Sequence, residues 1–178
     1  YRLLHRQDNA DGRLSEIGYR IGLVPEAQYH SVQEKYAAVE QEVARLEHTY
    51  LAPTDSLNAL LTSCGTTPMQ SGASLADMIR RPQVHYMDLT PFDPSRPALN
   101  KAIVNEVEIT LKYEGYIQRQ LKQVEEFTKL EAKTIPIDLD YDSVTGLRLE
   151  AREKLKKIRP ENFGRASRIS GVSPADIS

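Results

Sequence analysis

The chain has 178 residues, with 23 Lys+Arg against 25 Asp+Glu, a net charge of -2, 40% hydrophobic residues and one cysteine. That length suits one large domain or two small ones with a real core. The lone Cys64 excludes an internal disulfide and a cysteine-based zinc site. The near-neutral total excludes a uniformly basic nucleic-acid binder, and no apolar run approaches the roughly 18–20 residues of a membrane span.

The charge is unevenly placed. Residues 1–24 carry +1, residues 25–97 carry -4, residues 98–143 carry -3 and residues 144–178 carry +4. Basic ends flank an acidic middle, a pattern of partner-facing or nucleic-acid-facing ends, or of solvated helix faces. The chain opens on Tyr1 rather than Met and stops at Ser178 in what reads as a helix start. The expectation is a piece of a longer protein.

Helical periods dominate, so the fold class is all-α. Ser15 is a candidate N-cap of a short first helix, with Ile17 and Ile21 on one face and Gly22 as its stop. Pro25 suits the first turn of a second helix running to about residue 50. Its apolar residues, Val32, Tyr36, Val39, Val43, Leu46 and Tyr50, form one stripe, with Glu40, Glu42, Arg45 and Glu47 on the other faces. Short helices come next at 55–63 and 74–80, punctuated by prolines. The longest helix spans roughly 100–133, with Ile103, Val107, Tyr113, Ile117, Leu121, Val124 and Leu130 as its stripe. The two long stripes predict an antiparallel helical pair closed by the intervening segment, since neither helix is stable alone.

Residues 134–142 read as an extended linker, because Ile135 precedes Pro136. The expected division is therefore a helical subdomain at 1–134 and a small, basic, truncated one at 135–178. The latter holds a helix at 148–158, a short helix around 163–170, a turn at Gly171 and a helix opening at Pro174 with Ser173 as its N-cap. Ala166, Gly171, Val172 and Ile177 have the spacing of a helix-turn-helix-like corner. Its basic rim, Arg165 and Arg168 with Lys154, Lys156, Lys157 and Arg159 before them, can reach phosphates. At the other end Arg2, Arg6 and Arg13 surround Asp8, Asn9 and Asp11. Arginine there can bind phosphate, or pair with Asp8, Asp11 and Glu16. No nucleotide-binding glycine motif, HExxH or CxxC is present. His5, His30, His48 and His85 are scattered, which suits surface positions better than metal sites.

Two long segments carry a resemblance. YRLLHRQDNADGRLSEIGYRIGLV, and IPIDLDYDSVTGLRLEAREKLKKIRPENFGRASRISGVSPADIS with its Ile135-Pro136, Asp140-Tyr141, Gly146-Leu147, Glu150, Arg159-Pro160 and Ala166-to-Pro174 elements, resemble the C-terminal region of the MnmG (GidA) family of tRNA-modifying enzymes. Arg80-Arg81-Pro82 and Lys112 through Ile117 fit between them. Gly12 departs from the family pattern, where a leucine is common.

The resemblance implies a parent flavoenzyme that uses FAD and NADH. With a GTPase partner, MnmE, it adds carboxymethylaminomethyl to carbon 5 of the tRNA wobble uridine. It also implies a cytoplasmic homodimer, with no catalytic, cofactor or metal site in these residues and no membrane association. The family assigns this region to tRNA contact and GTPase docking. The candidate tRNA-binding residues are Arg2, Arg6, Arg13, Arg20, Lys154, Lys157, Arg159, Arg165 and Arg168. The candidate GTPase-docking residues are Arg168, Ile169, Gly171 and Val172. A DNA-binding helix-turn-helix module and a purely structural helical arm are the alternatives.

Overall fold

The structure is a computed structural model and describes residues 2–177. It is helical apart from one two-stranded ribbon, so the all-α class holds. Cα packing divides it into two compact units, one up to Ile117 and one from Gln118.

In the first unit, α1 (Ala10–Arg20) and α2 (Glu26–His48) form a helical hairpin. Gly22 ends α1 at a φ of 76°, a left-handed conformation that only glycine adopts cheaply. Ser15 is not the cap expected from sequence. It lies buried inside α1, which already starts at Ala10. The earlier start is braced by Asn9, whose side chain donates to the Leu4 carbonyl and accepts from Arg13. Gly12 has its own packing reason. A Cβ there would sit 2.7 Å from the Tyr36 ring. With no side chain at position 12, that ring lies against α1 and its hydroxyl donates to Asp11 at 2.7 Å.

The rest of the first unit closes over the two long stripes. Strands β1 (Tyr50–Leu51) and β2 (Ala73–Ser74) pair antiparallel, with Tyr50 opposite Ser74. Between them lies α3 (Asp55–Ser63), capped by the Thr54 hydroxyl. After them comes α4 (Leu75–Ile79), started by a reciprocal Ser74–Asp77 capping box. A 3-10 run at Tyr86–Phe92 leads toward α5 (Lys101–Ala132). One core joins Val39 and Leu46 of α2 to Ile103, Val104, Val107 and Leu111 of α5, filled by Leu57, Leu61, Leu75, Met78, Ile79, Val84, Tyr86 and Leu89.

Three stripe assignments change. Tyr50 lies beyond α2, in β1, and is 70% exposed. The buried part of the α5 stripe ends at Leu111; Tyr113 and Leu121 are exposed. Glu42 is not on a solvent face but 3% exposed, because it lies between Val39 and Leu46 on the inward side of α2. Its charge is met there. Arg45 pairs with it at 2.7 Å and with Asp93 at 2.6 Å, and the Tyr86 hydroxyl donates to it at 2.7 Å. Glu42 and then Asp93 raise the pKa of Arg45 further. Burial, then the hydrogen bond to Glu42, pushes the Tyr86 phenol up to about 12.

The second unit holds the rest of α5, then α6 (Leu149–Ile158), α7 (Phe163–Ser167) and α8 (Pro174–Ile177). The expected boundary was 134/135, yet the compact units divide at Ile117/Gln118. The end of α5 belongs with the later helices because α7 packs directly on it. A Cβ at Gly164 would lie 3.1 Å from the backbone of Glu131. The extended segment is itself part of this packing. Ile135 donates to the Glu161 carbonyl, Phe163 donates to that of Lys133, and Tyr141 is buried with Leu155 and Ala166.

Arg45→Ala would leave Glu42 and Asp93 buried without their cation. The expected loss is about 3–5 kcal/mol of stability, read by chemical denaturation. An unchanged midpoint would show that water or another cation already compensates both carboxylates.

Candidate nucleic-acid interface

The structure sorts the nine candidate cations by what they do inside the fold. Arg6, half-buried, and Arg159, exposed, are both engaged by the chain's own groups. Arg6 donates to both Asp8 oxygens and to the Leu3 carbonyl, with its guanidinium 5.6 Å from the centre of the Tyr113 ring. This Arg6 contact holds the Asp8 carboxyl below its usual range. Arg159 closes α6 in a left-handed conformation at φ 49°. It donates to the Ile137 and Leu139 carbonyls at 3.0 and 3.1 Å and lies over the Tyr141 ring. Both arginines therefore hold non-helical backbone in place.

Arg13 is exposed but engaged locally, donating to Asn9 and to the Arg6 carbonyl and contacting His5. Arg165 and Arg168 are exposed and hold single carboxylates, Glu161 and Glu131. Such exposed pairs are worth little and exchange readily for another anion. The side chains of Arg2, Arg20, Lys154 and Lys157 are exposed and make no hydrogen bond or ion pair among the described residues. Lys154 and Lys157 stand three residues apart on one face of α6, whose buried face is Ala151 and Leu155.

The segment 163–177 holds two short helices and a turn. α7 starts at an Asn162 cap, the chain turns at Gly171 with φ 95°, and α8 opens at Pro174. Ile169 and Val172 are half-buried and pack against the small core of Tyr141, Leu155 and Ala166. Of the four docking candidates only Arg168 is exposed, and Gly171 is half-buried like Ile169 and Val172. A Cβ at Gly171 would meet the Glu150 carboxylate at 2.5 Å.

Arg148 was missed from sequence, and it fixes this corner. It precedes α6 and grips Asp176 of α8 through Nε and Nη2, with a further bond to the Gly171 carbonyl. The Ser173 hydroxyl and backbone N–H also donate to Asp176 at 2.7 and 2.8 Å. Arg148, then Ser173, holds the Asp176 carboxyl well below the usual carboxylate range. The available signal was the capping spacing of Ser173 and Asp176, which marks the helix start but not its distant arginine.

Among the described residues no cluster of His, Cys, Asp and Glu could hold a metal ion, and no helix is long and apolar enough to cross a membrane. These features define an all-helical module whose small C-terminal unit turns a set of cations to solvent. Its relatives give the class a family. A model described as the tRNA modifying enzyme MnmG/GidA C-terminal helical domain matches residues 26–121, and one described as the MnmG/GidA C-terminal helical bundle matches residues 123–178.

The chain is 51% identical over all 178 residues to the tRNA uridine 5-carboxymethylaminomethyl modification enzyme MnmG of Caldicellulosiruptor saccharolyticus, and 48% identical to that of Lachnoclostridium phytofermentans. It spans 28% of the length of each. Aquifex aeolicus GidA in its form II crystal superposes with a TM-score of 0.62 at 35% identity, over 97% of this chain and 26% of that one. The chain belongs to the MnmG/GidA family, as its C-terminal region.

Asp176 generates a pH dependence. Its pKa is lowered on folding, so the corner is stabilised above the usual Asp value of 3.8, and that stabilisation is lost as pH falls through the folded value. In an acid titration followed by NMR, residues 171–177 should loosen below about pH 4. Asp176→Asn should lack this acid limb. Identical acid titrations would show that the pairing does not hold the corner.

Proposed function

We propose that this chain is the tRNA-contacting and partner-docking part of an enzyme that adds carboxymethylaminomethyl to carbon 5 of the tRNA wobble uridine. Family membership supports the tRNA substrate. The observation that carries the assignment to this region is the set of outward cations: Lys154, Lys157, Arg165 and Arg168 in the second unit, with Arg2, Arg13 and Arg20 in the first. These would meet phosphates, reading RNA shape more than base sequence. Arg6 and Arg159 act instead by positioning the backbone beside them.

The GTPase MnmE would dock on the corner at Arg168 and Gly171, whose shape Ile169 and Val172 set from within. FAD and NADH chemistry, and pairing into a homodimer, are assigned to the longer family protein. The acidic surface of α2 favours a protein-facing or spacer role over an RNA-facing one, since it would repel phosphates.

The experiment is a combined Arg165→Ala and Arg168→Ala variant. Filter binding with tRNA should weaken by about tenfold or more, at roughly 1 kcal/mol per lost phosphate contact. Capture of the GTPase should fall as well. Unchanged tRNA affinity together with unchanged capture would overturn the assignment to the C-terminal corner.

A further inference from the structure

Helix α1 packs on its own unit through its least apolar side. Among the described residues, Ser15 is the one residue of α1 that is buried. Gly12 lies against the Tyr36 ring, Gly18 against Val24, and Asp11 is tied to Lys35 and Tyr36 of α2. Among the described residues, none from α1 enters the hydrophobic core of that unit.

The apolar residues of α1 lie on another face. Ala10, Leu14, Ile17 and the closing Ile21 follow one another at spacings of four, three and four, which makes one row along a helix. Rows of this kind hold α2 and α5 to the core. Here the row meets solvent. Leu14 and Ile17 are each 53% exposed, Ile21 is 64% exposed, and Leu23 in the turn that follows is 77% exposed. Arg13, Glu16 and Arg20 form an exposed charged flank beside it. An 11-residue helix is marginal alone, and a contiguous exposed aliphatic row marks a contact surface.

The occupant follows from the size and position of this region in its family. The chain is the C-terminal region and spans 28% of two MnmG relatives, so most of the family protein precedes it. Among the described residues α1 is the first helix, and it is the one nearest that preceding length.

We propose that the apolar row of α1 is an interdomain docking surface: it seats on the part of the family protein that precedes this region, and so fixes how the region is presented to the rest of the enzyme. A second copy is the poorer occupant. Leu14, Ile17, Ile21 and Leu23 lie on or just past a helix about 16 Å long. That is little for separate molecules, whose stable interfaces cover roughly 800 Å² of each partner. A covalently attached partner needs less, because the chain keeps its effective concentration high. Arg13, Glu16 and Arg20 then form the polar rim of the seam. The proposal rests on family membership and makes no use of tRNA contact.

The test is hydroxyl-radical footprinting of the full-length protein that contains this chain and of the separate 178-residue chain, both without RNA, with oxidation read residue by residue by mass spectrometry. Leu14, Ile17 and Ile21 should oxidise several-fold more slowly in the full-length protein, at every protein concentration. Ile17→Glu in the full-length protein should return Leu14 and Ile21 to the rate of the separate chain. In the separate chain the same substitution should leave the thermal midpoint unchanged, because Ile17 already meets solvent there. Equal oxidation of the row in the two proteins would overturn the proposal. Protection of the separate chain that grows with its concentration would overturn it in favour of a second copy, and a midpoint lowered by Ile17→Glu in that chain would assign the row to internal packing instead.

Discussion

The second unit has a small core among the described residues: Tyr141, Leu155 and Ala166, with Ala151 also buried on α6 and partly buried apolar residues such as Ile135, Leu139 and Ile169 packed around it. So small an apolar core leaves much of the ordering of this segment to polar contacts. Two arginines add polar ties to it. Arg159 holds the Ile137 and Leu139 carbonyls beside Tyr141, and Arg148 ties the start of α6 to Asp176 and Gly171. Close approach supplies the remainder, with Gly164 set against Glu131. This division of labour decides which cations are left for solvent. Lys154 and Lys157 on α6 are structurally idle, and Arg165 and Arg168 hold only exposed carboxylates.

The first unit solves the opposite problem. Its core is large, and charge is what has to be accommodated inside it. Glu42 on the inward side of α2 is met by Arg45 and Tyr86, and Arg45 carries the link on to Asp93, which leads toward α5. Arg80 binds the two long helices from outside the core, contacting Glu47 at 2.9 Å and Glu114 at 2.8 Å. Charged groups on this unit are thus largely satisfied by each other. That fits a scaffold more than a phosphate-binding face.

Periodicity made the helices legible, because a helix with one apolar stripe writes its 3.6-residue repeat into the chain. The limits of α2, α3 and α6 are set by their stripes and caps. Ser15 misled because a cap residue and a buried helix-interior serine look alike in sequence; the earlier start is held by Asn9 locally and by the contacts of Lys35 and Tyr36 with Asp11, 24 and 25 residues away. Glu42 misled because a buried charge is readable only with its distant partners, Tyr86 and Asp93. The basic C-terminal end was visible as a charge run, but its sorting into staples and free cations was not. Arg159 and Lys157 differ little in sequence context. One is held by carbonyls across a turn, and the other points to solvent.

On the proposed function, that sorting assigns tRNA contact to the solvent-facing cations of α6 and a backbone-positioning role to Arg159. The most direct measurement is the salt dependence of tRNA affinity for the wild type, a Lys154→Gln/Lys157→Gln variant and an Arg159→Gln variant. The double variant should lower the slope of log affinity against log salt by about 1.5 to 2, and Arg159→Gln should leave the slope unchanged while lowering thermal stability. An unaltered slope in the double variant, or a slope lowered by Arg159→Gln alone, would contradict this division of roles.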